Sequence, residues 1–216
     1  MVAVPIKPEY GPTLGRLLSP RWRAASPLAR GAVRVLVVGV IALAIGAFLT
    51  LENAHYSRGG RVPFSFSYRG LDRVAAAPGE WVRLERHASG GRLKDSFSVR
   101  PLVLARYSGS LSGELPLYAA SYISMLRRRD EDFVLRGEGK TRVNAVPAYN
   151  VLYTARVAGH TMFGRDVLLV AQRPGAREGV NIVMLTSPTA NAQVTSPLEV
   201  ASAGVLLKPL KTFTLG

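Results

Sequence analysis

Seventeen consecutive residues from Val35 to Leu51, VLVVGVIALAIGAFLTL, carry no charge, and this run constrains the chain more than any other feature. As a helix rising 1.5 Å per residue it covers roughly 26 Å, or roughly 30 Å with Ala32 to Arg34 included, which matches the hydrocarbon core of a bilayer. Arg34 lies one turn inside the boundary, where its long side chain can reach back to phosphate headgroups. Between Val35 and Phe48 no polar side chain occurs at any helical phase, so the polar stripe of an ordinary core helix is missing. A cleavable secretory signal is the competing reading, with Ala54-His55-Tyr56 as its site. Against it stand a preceding region of more than thirty residues, an apolar stretch beyond the usual 7 to 15, and no convincing small-x-small site. The expectation is an uncleaved transmembrane helix at residues 32–51.

Lys and Arg counts near the two ends set the expected direction. Arg16, Arg21, Arg23, Arg30 and Arg34 precede the run, while Arg58, Arg61 and Arg69 follow it within a comparable distance. Five against three predicts a cytoplasmic amino terminus and an extracytoplasmic domain. Residues 1–31 hold five prolines and no helical apolar period, which predicts a basic disordered tail. Trp22, flanked by Arg21 and Arg23, is placed with Arg34 at the membrane boundary. Residues 52–61 read as a polar linker, and 62–216 as one domain, since 216 residues allow an anchor and a single good core.

The formal net charge of +14 comes from 28 Lys plus Arg against 14 Asp plus Glu. It is scattered, with no basic run longer than Arg127 to Arg129 and no aromatic-interleaved stripe, so nucleic acid is not an expected partner. The chain contains no Cys, which excludes disulfides, cysteine-ligated zinc, a thiol nucleophile and a lipid-modified amino-terminal Cys.

Along the domain, Val62, Phe64, Phe66 and Tyr68 alternate with Ser65, Ser67 and Arg69, the pattern of a half-buried strand. A turn at Pro78-Gly79 and another at Ser89-Gly90-Gly91 bracket a strand from Trp81 to His87, with a hairpin partner from Phe97 to Leu104. Leu115, Tyr118, Tyr122, Met125 and Leu126 then fall at helical spacing, and Arg127 to Arg129 complement the dipole at that helix's carboxyl end. From Phe133 onward, four apolar runs separated by short connections predict an antiparallel meander, because a parallel return needs a crossover of a dozen or more residues. Ser196-Pro197-Leu198-Glu199 fits a capping box opening a helix that carries Leu198, Ala201 and Val205 and stops at Pro209. Thr212 to Leu215 reads as a last short strand. The predicted class is α+β: an antiparallel sheet flanked by two or more helices behind one transmembrane helix.

This order of elements resembles the Mog1 and PsbP superfamily, including extracytoplasmic lipoproteins of the LpqN type. The residues that carry the resemblance are FSFSY at Phe64 to Tyr68, the segment from Val146 to Gly175, and the closing helix followed by KTFTL at Lys211 to Leu215. The chain departs from the lipoprotein members by lacking an anchoring Cys. The resemblance implies a binding or accessory role, not a reaction, because fold alone does not fix function.

Catalytic motifs do not assemble. Gly139-Lys140-Thr141 lacks the earlier glycine of a phosphate-binding loop, and Gly109 to Gly113 places Leu111 where a hydrolase elbow requires Ser. His55, His87 and His160 lie far apart without a second ligand at metal spacing. No cofactor, metal or catalytic residue is expected, and an envelope hydrolase is the least favoured reading. The retained constellation is Arg165, Arg173 and Arg177 with Arg156 and His160, on the strands and turns of the meander. Gathered at one end, these cations suit an acidic glycopolymer, a headgroup or an acidic protein partner; otherwise they serve solubility and pair with Asp166 and Glu178. The expected function is a bacterial single-pass membrane protein whose outward-facing domain binds or assembles a partner at the cell envelope. A non-catalytic accessory subunit of an integral membrane complex, packing through Gly39 and Gly46, is the alternative.

Overall fold

The computed structural model describes residues 26–50, 53–105, 111–171, 173 and 176–216. The chain divides into two compact units, Met1–Glu52 and Asn53–Gly216. The first holds helix α1, Pro27–Thr50, 24 residues long. Its described side chains from Val35 to Leu43 are exposed apolar groups, and Arg34 is exposed as well. Among the described residues no helix is long and apolar enough to cross a membrane. Trp22 and most of the expected tail lie outside the described residues.

The second unit is α+β. Its strands are β1 (Ala54–Arg58), β2 (Phe64–Tyr68), β3 (Asp72–Val74), β4 (Val82–His87), β5 (Leu93–Val103), β6 (Glu131–Val143), β7 (Val146–Val157), β8 (His160–Val170), β9 (Glu178–Thr186) and β10 (Thr214–Leu215). Helix α2, Leu111–Arg129, separates β5 from β6, and the five-residue α3, Leu207–Lys211, precedes β10. A seven-stranded sheet runs in the order β3-β4-β5-β9-β8-β7-β6, and a three-stranded sheet in the order β1-β2-β10. Every pairing is antiparallel, and β6 to β9 form the expected meander. Two residues with positive φ, Ala158 (50°) and Gly159 (77°), turn β7 into β8, the backbone that matches the twist of a tight hairpin.

Alternation along the central strands divides the core in two. Val167 and Leu169 of β8, with Val180, Ile182 and Met184 of β9, face a cluster completed by Phe64, Phe66, Phe97 and Phe213. Leu168 and Val170 face the other way, into a cluster with Tyr149, Val151 and Tyr153 of β7 and Leu115, Ala119, Tyr122, Ile123 and Leu126 of α2. The middle strands are therefore buried on both faces, and this is why their sequences read as near-continuous apolar runs.

Two expectations are corrected. Ala54–Arg58, inside the expected linker, is strand β1: Tyr56 stacks 5.4 Å from Phe66 and 5.7 Å from Phe64, and that burial holds an otherwise polar stretch in the sheet. The helix expected from Ser196 is only the 3-10 turn Pro197–Glu199. Its amino-terminal polar contacts form, with the Glu199 carboxylate accepting from the Ser196 and Thr195 amides at 3.3 and 2.6 Å. Ala201 at φ 61° and Gly204 at φ 71° then break the helical path, leaving Leu198 72% exposed. Pro209 lies inside α3, near its start, where a missing amide hydrogen costs nothing.

Candidate functional site

The structure separates the five residues singled out from the sequence. Arg156 and His160 sit at the β7–β8 hairpin, where Arg156 pairs with Asp132 at 2.9 Å. Arg165 is half-buried in the middle of β8. It donates from Nε to Asn150 Oδ1 at 3.3 Å and from a terminal nitrogen to the Val200 carbonyl at 3.1 Å, tying the carboxyl-terminal segment to the sheet. Burial lowers the pKa of its guanidinium from the ordinary value. Arg173 and Arg177 lie beyond the far end of β8, whose eleven residues extend roughly 36 Å at the usual rise. Arg173 and Arg177 thus come together, and Arg156 and His160 stand at the opposite end.

Around Arg173 and Arg177 three hollows adjoin along the last residues of β5, and Val103 lines all three. The first, about 330 Å³, has Trp81, Pro101, Leu102 and Val62 as apolar walls, with Arg58 and Arg61 at its rim. The middle one, about 300 Å³, is lined by Arg61, Arg173, Arg177, Glu178, Ala176 and Leu104. The third, about 370 Å³, lies between β5 and α2 and is bounded by Leu104, Ala105, Glu114, Leu117, Tyr118 and Ser121. Val103 is 65% and Leu117 57% exposed, so the groove offers open apolar surface as well as charge.

Backbone carbonyls hold the guanidinium groups of this rim. Arg58 donates to the Gly59 and Val62 carbonyls at 3.3 and 3.2 Å and lies 4.0 Å from the Trp81 ring centroid, a cation–π distance. Arg173 donates to the Arg61 carbonyl at 3.0 Å, and Arg177 to the Ala105 carbonyl at 2.8 Å. Arg61 pairs with Glu178 at 2.9 Å. Among the described residues no carboxylate lies within ion-pair distance of Arg58, Arg173 or Arg177. A carbonyl orients a guanidinium fork without neutralising it, so three fixed positive charges face the groove. In the third hollow, Glu114 Oε1 is buried with no hydrogen-bond partner among the described residues. Arg58 and Arg61 stand more than a hundred residues from Arg173 and Trp81 stands 92 away, so no local pattern joins them; the β1–β2 hairpin carries the two arginines there, and the pairing of β4 with β5, with the Trp81 amide donating to the Val99 carbonyl at 2.8 Å, carries Trp81.

A second polar cluster lies under α2. Asp166 is fully buried; Tyr122 donates to its Oδ2 at 2.5 Å and Tyr153 to its Oδ1 at 3.1 Å. Burial pushes the Asp166 carboxyl up to about 6, against the two phenol hydrogen bonds and the nearby Arg100 and Arg129 charges, which pull it down. Burial and the Asp166 charge together hold both phenols well above the ordinary tyrosine value. Gly164 lies opposite Tyr153 across the strands, where a Cβ would sit 2.3 Å from the ring. None of these groups lines the groove, so the cluster holds α2 on the sheet. Among the described residues no group of three or more His, Asp or Glu is placed to hold a metal ion.

No family model matches the chain, and no curated protein matches it. Among solved structures, the chain is similar to cyanobacterial PsbP (CyanoP) from Synechocystis at 15% identity and a TM-score of 0.48, over 76% of this chain and 92% of that one. It is also similar to a Pseudomonas aeruginosa protein of unknown function, at 14% identity and a TM-score of 0.37, over 57% of this chain and 87% of that one.

Proposed function

We propose that this chain is a bacterial single-pass membrane protein, amino terminus in the cytoplasm, whose α+β domain outside the membrane binds an anionic envelope ligand or an acidic partner in the arginine-rimmed groove. The observation that carries the binding reading is the set of three guanidinium groups, Arg58, Arg173 and Arg177, which border an apolar floor and have no carboxylate partner among the described residues. Two features support the anchor: the uncharged run from Val35 to Leu51, and α1, which covers Pro27–Thr50 with exposed apolar side chains. The five-to-three excess of arginines before the run supports the direction.

Two experiments test the two halves. The chain has no Cys, so Ser57→Cys in exposed β1 creates a unique thiol. An impermeant maleimide is expected to label it in intact spheroplasts, and labelling only after lysis would refute the outward orientation. For binding, the full chain in neutral detergent is expected to be retained on polyglutamate resin, and the double variant Arg173→Ala/Arg177→Ala to elute at clearly lower salt. Equal elution would overturn the groove.

The accessory-subunit reading rests on Gly39 of α1, where an added Cβ would meet nothing within 4 Å. Such open small-residue surface suits close helix packing in a bilayer. A stoichiometric integral partner co-purifying in mild detergent would favour it.

A further inference from the structure

Along the groove, chemistry changes in a fixed order: an apolar hollow at Trp81 and Leu102, a cationic one at Arg173 and Arg177, then an apolar one at Leu104 and Leu117. The three follow the extended backbone of Pro101 to Ala105 and share Val103, which projects into all of them. We infer that the occupant of this groove is a polypeptide segment carrying an Asp or Glu flanked by apolar side chains. The inference rests on the binding function proposed above and names its partner class.

Three observations select a peptide over other anions. Glu114 Oε1 is buried at the third hollow without a donor among the described residues. An acyl chain laid there leaves that oxygen unpaired in hydrocarbon, whereas a peptide brings N–H groups that can pair with it. A uniformly charged polymer presses anions against the apolar walls and against Glu114, which repels them. A carboxylate, by contrast, matches the arginine fork in the middle hollow. A single acidic side chain flanked by apolar ones satisfies all three hollows at once.

The test is selection of a phage-displayed random heptapeptide library on the full chain in neutral detergent, followed by anisotropy titration of the labelled winners. Enriched sequences are expected to hold an acidic residue with aliphatic or aromatic residues on both sides of it. Their affinity is expected to fall about tenfold or more in Arg173→Ala/Arg177→Ala, as expected for losing a charge-assisted pair, and less in Arg177→Lys, which keeps the charge. Glu114→Leu is expected to weaken the same peptides severalfold. Dihexanoyl phosphatidic acid serves as the lipid arm, read by fluorescence of Trp81 in a Trp22→Phe background. Enrichment of basic or wholly apolar sequences, winners indifferent to the arginine variants, or tighter binding after Glu114→Leu overturns the inference. So does an empty selection accompanied by saturable phosphatidic acid binding. If resin retention still depends on Arg173 and Arg177 while no such peptide emerges, the groove function stands and this occupant falls. If retention never depended on them, the function itself falls.

Discussion

On one face of the seven-stranded sheet, Phe64, Phe66 and Phe213 stack with centroids 5.5 to 6.3 Å apart, and Phe97 tilts 5.0 Å from Phe66. On the opposite face α2 covers Leu168, Val170 and Tyr149, but a carboxyl and two phenols sit in the middle of the contact. Both faces exclude water, and they do it with different dependence on conditions. The aromatic face is held by burial and ring packing, which proton activity does not touch. The helix face is held partly by a group that must be desolvated in whichever protonation state it adopts. One sheet thus carries a pH-indifferent core and a pH-coupled one.

The largest expected effect breaks the aromatic face. Phe66 is 1% exposed and contacts rings from both sheets. Phe66→Ala is expected to cost about 3 to 5 kcal/mol, transfer energy plus cavity, by the same amount at pH 4.5 and pH 7 in urea unfolding. A loss that changes by more than 1 kcal/mol between those pH values would sink the claim that this face is indifferent to protons.

The next effect sharpens the helix face. The folded state holds the Asp166 proton up to about pH 6, against an ordinary value of 3.8. Because the folded pKa is the higher one, the folded chain binds more protons between these values. The stabilisation is therefore complete below about pH 4 and is lost as pH rises through about 6, a span of about 3 kcal/mol for two units. Glu80 works in the opposite sense: Arg100 and the Ala77 amide overcome its burial and lower its pKa, so its contribution is lost as pH falls. The net curve mixes the two, and the difference between wild type and Asp166→Asn isolates the first. That difference is expected to narrow steadily from pH 4 to pH 7. A flat difference would mean that Asp166 is ionised throughout and held by its two phenols alone.

How much of this was readable from sequence depends on how local each cause is. FSFSY announces β2 because Phe64 and Phe66 alternate with serines on a strand exposed on one face, and the helical spacing of Leu115, Tyr122 and Leu126 announces α2. Strand β1 was hidden because its apolar commitment is a single ring, Tyr56, whose partners lie on β2. The helix expected after Ser196 met every local criterion at its start, and failed where Ala201 and Gly204 take positive φ, a choice made by packing against the sheet. At the groove, Arg173 and Arg177 are legible as a pair because they stand four positions apart. Arg58, Arg61 and Trp81 join them only through tertiary pairing. The sequence offers Asp166 as a pairing partner for arginine; its neighbours Val167 to Val170 are buried on both faces, and that two-sided burial, not the residue type, sets its environment.

The smallest expected effect concerns Arg165, which lies on the aromatic-face side of β8 and yet carries a charge. Its two hydrogen bonds, to Asn150 and to the Val200 carbonyl, fasten the segment after the 3-10 turn. Burial lowers its pKa, a sign that the site desolvates the cation. Loss of the hydrogen bonds and relief of that desolvation oppose each other, so Arg165→Met, which keeps the stem, is expected to cost about 1 kcal/mol or less. The change should instead be local: faster amide exchange at Ser202 and its neighbours, with Phe97 and Ile182 protected as before. Retention on polyglutamate resin should stay at the wild-type level, because Arg165 is committed to the fold. Reduced retention with unchanged exchange would move Arg165 from the clamp to the binding surface, and would extend the ligand from the groove to the middle of β8.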